Sequence, residues 1–307
     1  MVSTSPTGVH RTPPPGTSRR FRGLTYDAGM TLSVALVQLD ARDDIEANVA
    51  TAVRLADQAA SGGARFVALP EYLHYRGSDA GFRASARPIP GPHTEPFSEV
   101  ARRHGSWILV GSTAELSPDP ARPYNTSALI APDGSVAAVY RKIHLFDVDV
   151  DAGPVDTESA RVTAGDRLVT AEVDGTTVGL SICYDLRFPE LYRALALAGA
   201  QILTVPSAFT ARTGRDHWEV LLRARAIENA AYILAPSQIG GPPGQTAYGH
   251  SVVIDPWGTV VAQAPDVVGI IRAELDLERV ESIRRQIPVL ANRRPGAYAA
   301  EERARDG

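Results

Sequence analysis

The chain of 307 residues contains a single cysteine, Cys183. It follows an apolar run, residues 176–182, and precedes Pro189, a residue type that commonly opens a helix. A nucleophile at a strand-to-helix turn is exposed at the edge of a sheet, where backbone N–H groups can bind an oxyanion. A lone cysteine is otherwise often a small buried hydrophobe. This observation alone leaves both interpretations of Cys183 open.

A thiol at its ordinary pKa of about 8.5 is mostly protonated at neutral pH, so it needs a base or a cation beside it. None of the seven histidines stands out as that partner. Two other charged residues lie at strand ends, since Glu71 follows the run 64–70 and Lys142 follows the run 135–141. Loops meet at such ends to form sites in sheet-based enzymes. Each charge taken alone is also typical of a solvated strand end.

The elements that must position these residues alternate along the chain. Apolar runs predict strands at 31–39, 64–70, 107–115, 176–182, 201–206 and 232–237. Turns at 132–134 and 256–258 predict two β-hairpins. Helices are predicted at about 94–104, from Pro189 onward and at 216–230. The pattern indicates an α/β or α+β fold with helix-covered sheets, and one domain over residues 30–307.

Two helices carry specific end signals. Asp43 or Asp44 can cap a first helix, which Gly62 and Gly63 end. The predicted apolar face of that helix consists of Ile45, Val49, Val53 and Ala56. Asp216 and Glu219 form a D-x-x-E capping box, which predicts that the long helix begins at residue 216.

Composition limits the classes of function. A net charge of -4 and a pI near 6.0 give no basic field for nucleic acid or an anionic membrane. No apolar run approaches the ~20 residues that span a bilayer. One cysteine excludes an internal disulfide framework and argues against a thiolate metal cluster. Residues 1–29 are rich in Pro, Ser, Thr, Gly and Arg and contain no export signal. We therefore predict a disordered extension, a cytoplasmic protein, and translation from either Met1 or Met30.

Three segments resemble a known signature. LPEY at Glu71, YRKIHLF at Lys142 and GLSICYDLRFPEL at Cys183 resemble the Glu–Lys–Cys pattern of the nitrilase, or carbon–nitrogen hydrolase, superfamily. Residues 204–228 and 248–262 and the segment PVLANRRPGAY resemble its branch of omega-amidases and deaminated-glutathione amidases. The resemblance implies a four-layer α-β-β-α sandwich that pairs into a homodimer. It also implies a second glutamate, for which Glu158 is the candidate, although its loop DAGPVDTES departs from the relatives' pattern.

The resemblance implies a mechanism without metal or cofactor. Glu71 would be the general base for Cys183, and Lys142 and the Tyr184 backbone N–H would bind the oxyanion. Water, oriented by Glu158, would hydrolyse the resulting thioester after ammonia or an amine has left.

Four residues are candidates for contact with the substrate. Arg187 matches arginines that bind a carboxylate in relatives, and a salt bridge to Asp185 or Glu190 is an equally good interpretation. The other candidates are Tyr72, Phe209 and His217. The predicted substrate is a small linear amide that carries a carboxylate, with nitriles and N-carbamoyl amino acids as alternatives. The non-enzymatic alternative is a catalytically silent member of the fold that binds a metabolite or a partner.

Overall fold

Strands and helices alternate in the computed structural model, which describes Met1, residues 31–149 and residues 156–298. The strands are β1 (Thr31–Gln38), β2 (Phe66–Ala68), β3 (Trp107–Glu115), β4 (Tyr124–Ile130), β5 (Val136–Arg141), β6 (Asp147–Val148), β7 (Asp156–Thr157), β8 (Thr170–Val173), β9 (Thr176–Leu180), β10 (Ile202–Thr204), β11 (Tyr232–Ala235), β12 (Ile239–Gly240), β13 (Ala247–Tyr248), β14 (Val252–Ile254), β15 (Val260–Gln263) and β16 (Gly269–Asp276). The helices are α1 (Ile45–Ser61), α2 (Asp79–Ala84), α3 (Glu95–His104), α4 (Pro189–Leu197), α5 (Ala211–Asn229), α6 (Leu277–Gln286) and α7 (Pro295–Tyr298). Short 3₁₀ turns cover Glu158–Ala160 and Cys183–Arg187. Apart from Met1, the predicted disordered extension lies outside the described residues.

Two six-stranded sheets form the centre of the fold. Their strand orders are β16-β1-β2-β3-β4-β5 and β15-β14-β11-β10-β9-β8. In each sheet the central strands, β1-β2-β3 or β9-β10-β11, are parallel, and antiparallel pairs complete the edges. Central strands that are buried on both faces have continuous apolar sequences, and their positions could therefore be predicted from the sequence.

The layers follow from which faces are buried. Helices α1 and α3 cover the first sheet, where Phe97 shares a buried cluster with Val67. Helices α4 and α5 pack on the second sheet. Leu36 of the first sheet lies in one buried cluster with Leu180 of the second, so apolar side chains fill the space between the sheets. The predicted four-layer α-β-β-α sandwich is confirmed.

Several element boundaries are also confirmed. Strand β3 covers the predicted residues 107–115, and α4 begins at Pro189. Both hairpins form, as β4–β5 and β14–β15. The sequence analysis missed β16, which pairs antiparallel with β1 along its whole length. A pairing between the two ends of the chain has no local signal.

The predicted apolar face of α1 is largely wrong. Asp44 does cap the helix, and Gly62 follows its last residue. Ile45, Val49 and Val53, however, are only half-buried, and the buried face is Asn48, Ala52, Leu55, Ala56, Ala59 and Ala60. Alanines allow the helix to approach the sheet closely. Asn48 is tolerated in that face because its amide donates to the Arg42 and His74 carbonyls.

The predicted start of the long helix is also wrong. Helix α5 begins at Ala211, so Asp216 lies inside it rather than at a cap. The Ala211 N–H donates to the Thr246 carbonyl at 2.9 Å, and a Cβ at Gly214 would lie 2.5 Å from Tyr248. The first turn of α5 therefore depends on the distant β13 segment, a contact that local sequence does not reveal.

Candidate active site

Cys183 lies in the turn that follows β9. Its φ is 48°, a left-handed value that a non-glycine residue keeps only where surrounding contacts impose it. The Cys183 N–H donates to the Pro206 carbonyl at 2.9 Å. The buried Asp185 carboxylate accepts hydrogen bonds from the Ile182 N–H at 2.8 Å and the Tyr140 hydroxyl at 2.7 Å. These bonds fix a sharp strand-to-helix turn, the geometry that presents a nucleophile at a sheet edge.

Lys142 and two carboxylates form a buried cluster beside this turn. Lys142 Nζ donates to Glu71 Oε1 at 3.1 Å and to Glu158 Oε2 at 2.8 Å. All three side chains are at most 2% exposed, so the charges compensate one another away from water. Glu71, Lys142, Glu158 and Cys183 all line one cavity. The structure thus brings together the four residues that the sequence singled out for catalysis.

Two groups that the sequence analysis missed hold the Glu71 carboxylate. Asn125 Nδ2 donates to Glu71 Oε1 at 2.9 Å and reaches Glu158 Oε1 at 3.4 Å. The Ala208 N–H donates to Glu71 Oε2 at 2.8 Å. Asn125 had only a weak signal, because its strand, YNTSALI, also contains the polar residues Thr126 and Ser127. Ala208 had none, since only its backbone takes part.

The electrostatics keep the lysine charged. Burial opposes a charge on Lys142, but attraction to Glu158 and Glu71 outweighs it and raises the pKa of the ammonium well above its usual value. Burial likewise opposes the charge of Glu158. Attraction to Lys142 and hydrogen bonds from Lys142, the Tyr72 hydroxyl and the Phe146 N–H nevertheless lower the pKa of that carboxyl. Lys142 and Glu158 are therefore a fixed ion pair at neutral pH.

The surroundings of the Cys183 thiol favour its uncharged form. Burial, and next the negative charge of Glu71, raise the pKa of Cys183 well above its usual value, while Lys142 only partly opposes them. The resting cysteine is consequently a neutral thiol. It can become a nucleophile only if a base removes its proton as attack takes place, and the neighbouring Glu71 carboxylate is the group placed to do so.

The cavity has a volume of about 630 Å³ and is lined by charged, polar and apolar residues. Of the residues proposed for substrate contact, Tyr72 and Phe209 line it, as does Tyr184. The Tyr72 hydroxyl donates to Glu158 Oε1 at 2.6 Å, so this side chain also supports the cluster. Three arginines that the sequence analysis did not single out, Arg76, Arg161 and Arg212, lie in the walls.

Arg187 and His217 are not brought into this cavity wall. The Arg187 guanidinium lies 3.3 Å from His217 Nδ1, and it stacks over the Phe209 ring with 5.2 Å from Cζ to the ring centre. Arg187 therefore contacts a residue that lines the cavity and does not line it itself. Direct contact of Arg187 and His217 with a substrate stays a prediction. The hydrogen-bond partner of Arg187 is His217, not the Asp185 or Glu190 of the alternative interpretation.

Among residues 31–149 and 156–298, no group of three or more His, Cys, Asp or Glu side chains is arranged to hold a metal ion. Within those same ranges, no helix is both long and apolar enough to cross a membrane.

Two face-to-face sheets with a carboxylate, an ammonium and a thiol at their common edge define a class, the thiol hydrolases of the nitrilase type. A sequence profile of the family described as carbon–nitrogen hydrolase matches residues 33–285, so the chain belongs to the carbon–nitrogen hydrolase family. The members of this family are enzymes that hydrolyse carbon–nitrogen bonds other than peptide bonds.

Named relatives are similar over most of the chain. The deaminated glutathione amidase of Synechocystis sp. is 42% identical, over 84% of this chain and 97% of its own. The human omega-amidase is 39% identical, over 87% of this chain and 97% of its own. The crystal structure of the C. elegans NitFhit protein superposes with a TM-score of 0.82 at 38% identity, covering 88% of this chain and 66% of that longer one.

Proposed function

We propose that the protein is a cysteine-dependent amidase that hydrolyses a small linear amide through a thioester on Cys183. The observation that carries the proposal is the shared cavity, in which a neutral buried thiol adjoins a carboxylate whose other contacts, Lys142, Asn125 and the Ala208 N–H, are all hydrogen-bond donors. Glu71 takes the thiol proton as the sulfur attacks the amide carbonyl. Lys142 and the Tyr184 N–H bind the oxyanion that develops.

The tetrahedral intermediate then collapses. Glu71 returns the proton to the leaving nitrogen, so ammonia or an amine departs and the acyl group stays on sulfur. Glu71 next accepts a proton from water, which attacks the thioester and releases the acid and the thiol. Glu158 holds Lys142 in place by its 2.8 Å bond and contributes to the orientation of that water.

The proposed substrate is an amide that also carries a carboxylate. Support comes from the names of the relatives, an omega-amidase and a deaminated glutathione amidase, and from the arginines in the cavity wall. Nitriles and N-carbamoyl amino acids remain the alternative substrates. We also propose that the chain forms a homodimer, and that it works in the cytoplasm, where a lone thiol stays reduced.

The test is a turnover screen of the purified protein with two variants. The substrates are alpha-ketoglutaramate, deaminated glutathione, N-carbamoyl amino acids and simple nitriles. We expect release of ammonia or an amine from at least one amide. Cys183→Ala should abolish it, because the chain has no second thiol, and Cys183→Ser should be nearly inactive, because a carboxylate deprotonates a hydroxyl poorly. Both variants should keep the wild-type circular dichroism spectrum. Measurable turnover by Cys183→Ala would contradict the proposed mechanism.

A further inference from the structure

Arg76 is a buried cation in the wall of the catalytic cavity. It lies five residues after Glu71, and its side chain is only 6% exposed. Its guanidinium donates to the Gln245 carbonyl at 2.5 Å and contacts the Gly240 carbonyl at 3.4 Å. Arg76 therefore connects the lining segment that contains Glu71 to the lining segment at residues 243–246.

The charge of Arg76 has no carboxylate partner among the residues that the structure describes. Arg225, the other buried arginine in those ranges, pairs with Glu228 at 3.0 Å. Arg161, in the same cavity wall, pairs with Asp156 at 2.6 Å and Asp79 at 3.2 Å. The contacts of Arg76 are neutral carbonyls instead. A buried guanidinium is usually compensated by an anion, so this cavity offers one unmatched positive charge.

Attraction to more distant carboxylates does not compensate the charge of Arg76 fully. Burial lowers the pKa of Arg76 below its usual value, and the negative charges of Asp40 and Glu71 only partly oppose that shift. A guanidinium nevertheless keeps its charge in a protein, and its planar fork of donors matches the two oxygens of a carboxylate. An anionic ligand in the cavity would compensate the buried charge of Arg76.

We propose that Arg76 is the specificity-determining residue of this cavity and binds the carboxylate of the amide substrate. The inference rests on the proposed amidase function. It assigns carboxylate binding to Arg76 instead of to Arg187, which stacks over Phe209 and does not line the cavity. The substrate class is a linear amide whose carboxylate is separated from the scissile carbonyl by a carbon chain, because Arg76 and Cys183 are separate lining residues of the same cavity.

The test compares two amides that differ only in the terminal group, which is charged in one and apolar in the other. Glutaramate ends in a carboxylate, and pentanamide has a methyl group in its place. Arg76→Gln should lower kcat/KM for glutaramate by about 10- to 100-fold, mainly through KM, as expected when a hydrogen-bonded ion pair is lost. It should change pentanamide turnover by less than about threefold. Arg76→Lys should lie between, since an ammonium keeps the charge and loses the fork.

A matched control separates this role from general charge effects. Arg83 is an exposed arginine on α2, so Arg83→Gln changes the net charge equally and should leave both substrates unaffected. If Arg76 only ties residues 240–245 to the wall, Arg76→Gln will slow both substrates alike, and the proposal is wrong. Equal wild-type kcat/KM for glutaramate and pentanamide would also overturn it. Should Arg76→Gln not fold, Arg76→Lys gives the same comparison.

A binding measurement keeps this proposal distinct from the proposed amidase function. Calorimetry on the Cys183→Ala variant measures affinity for glutarate, with pentanoate as the ligand that has one carboxylate fewer. Glutarate should bind more tightly, and adding Arg76→Gln should remove the difference. If the wild type hydrolyses no amide and this difference is still seen, the amidase function fails while the carboxylate site stands. If amides are hydrolysed and no difference is seen, the carboxylate site fails alone.

Discussion

At the scale of single residues, the site is a cluster of buried charges held by neutral donors. Asn125, like Lys142, bonds both carboxylates, at 2.9 Å to Glu71 and 3.4 Å to Glu158. Its own Oδ1 is buried without a partner. A buried oxygen without a partner is destabilising. We infer that the two hydrogen bonds from Asn125 Nδ2 to the carboxylates stabilise the protein by more than this amount.

We predict that Asn125→Leu slows turnover without weakening substrate binding. Loss of a hydrogen bond to a buried charge costs about 1.5–3 kcal/mol, so kcat should fall by about 10- to 100-fold while KM changes little. Steady-state kinetics at neutral pH measure both parameters.

The control is another buried asparagine. Asn229 also has an unpartnered Oδ1 and donates to the Arg225 carbonyl, and it does not line the cavity. Asn229→Leu should lower the thermal midpoint and leave kcat and KM close to the wild-type values. If Asn125→Leu behaves in the same way, its role is structural only.

At the scale of elements, two buried histidines join the segment after Glu71 to the segment before α3. The rings of His74 and His93 lie 4.0 Å apart. His74 Nε2 bonds the His93 carbonyl at 3.0 Å, and His93 Nε2 bonds the Ser85 carbonyl at 2.7 Å. Burial lowers the pKa of both rings, most strongly for His74, where the charge of His93 adds to the effect. Both are therefore neutral in the folded protein.

This pair predicts a loss of stability on acidification. Below a pH of about 6.5 the unfolded chain binds protons that the folded chain excludes, so stability rises with pH in this range and falls as the pH drops below it. The expected slope is about 1.4 kcal/mol per pH unit for each histidine. Thermal midpoints measured from pH 7.5 to pH 5 should fall less steeply in His74→Gln than in the wild type. His217→Gln removes an exposed histidine and should keep the wild-type slope. Equal slopes in His74→Gln and wild type would contradict the prediction.

At the scale of the whole molecule, the site depends on how the two sheets are stacked. Glu71 and Lys142 follow β2 and β5 of the first sheet, whereas Cys183 and Ala208 follow β9 and β10 of the second. The 2.8 Å bond from the Ala208 N–H to Glu71 joins the two halves.

The outer face of α5 is where we expect the homodimer to form. Val220 and Ile227 lie two turns apart on this helix, and both are more than half exposed, as is Trp257 in the adjacent hairpin turn. A charge at Ile227 should split the dimer, because an unpaired charge is costly in an apolar interface. Light scattering on Ile227→Asp should therefore give half the wild-type mass. Val267→Asp alters an exposed valine outside this face and should not. A monomeric wild type would refute the dimer.

The N-terminal extension provides a second prediction at this scale. Residues 1–29 have too little apolar content to offset the ~1–2 kcal/mol of backbone entropy that each ordered residue loses. A chain that begins at Met30 should therefore match the full chain in thermal midpoint and turnover. A clear loss of either would show that the extension packs on the domain or covers the cavity.

The sequence by itself determined the elements with strong local signals. Apolar runs and turn residues predicted the strands of the two sheets except β8 and β16, Pro189 marked the start of α4, and strand ends placed Glu71, Lys142 and Cys183 where loops converge. The resemblance to a known signature added Glu158. These features were accessible because hydrophobic period, turn residues and chain position are properties of neighbouring residues.

Only the tertiary structure decided which residues complete the site. The start of α5 depends on Thr246 and Tyr248, and β16 pairs with β1 across most of the chain. Asn125 and the Ala208 N–H reach Glu71 from segments that are distant in sequence, while Arg187 stacks over Phe209. Such contacts depend on the register and stacking of two sheets. No local pattern encodes them, because each is fixed by the burial of many residues at once.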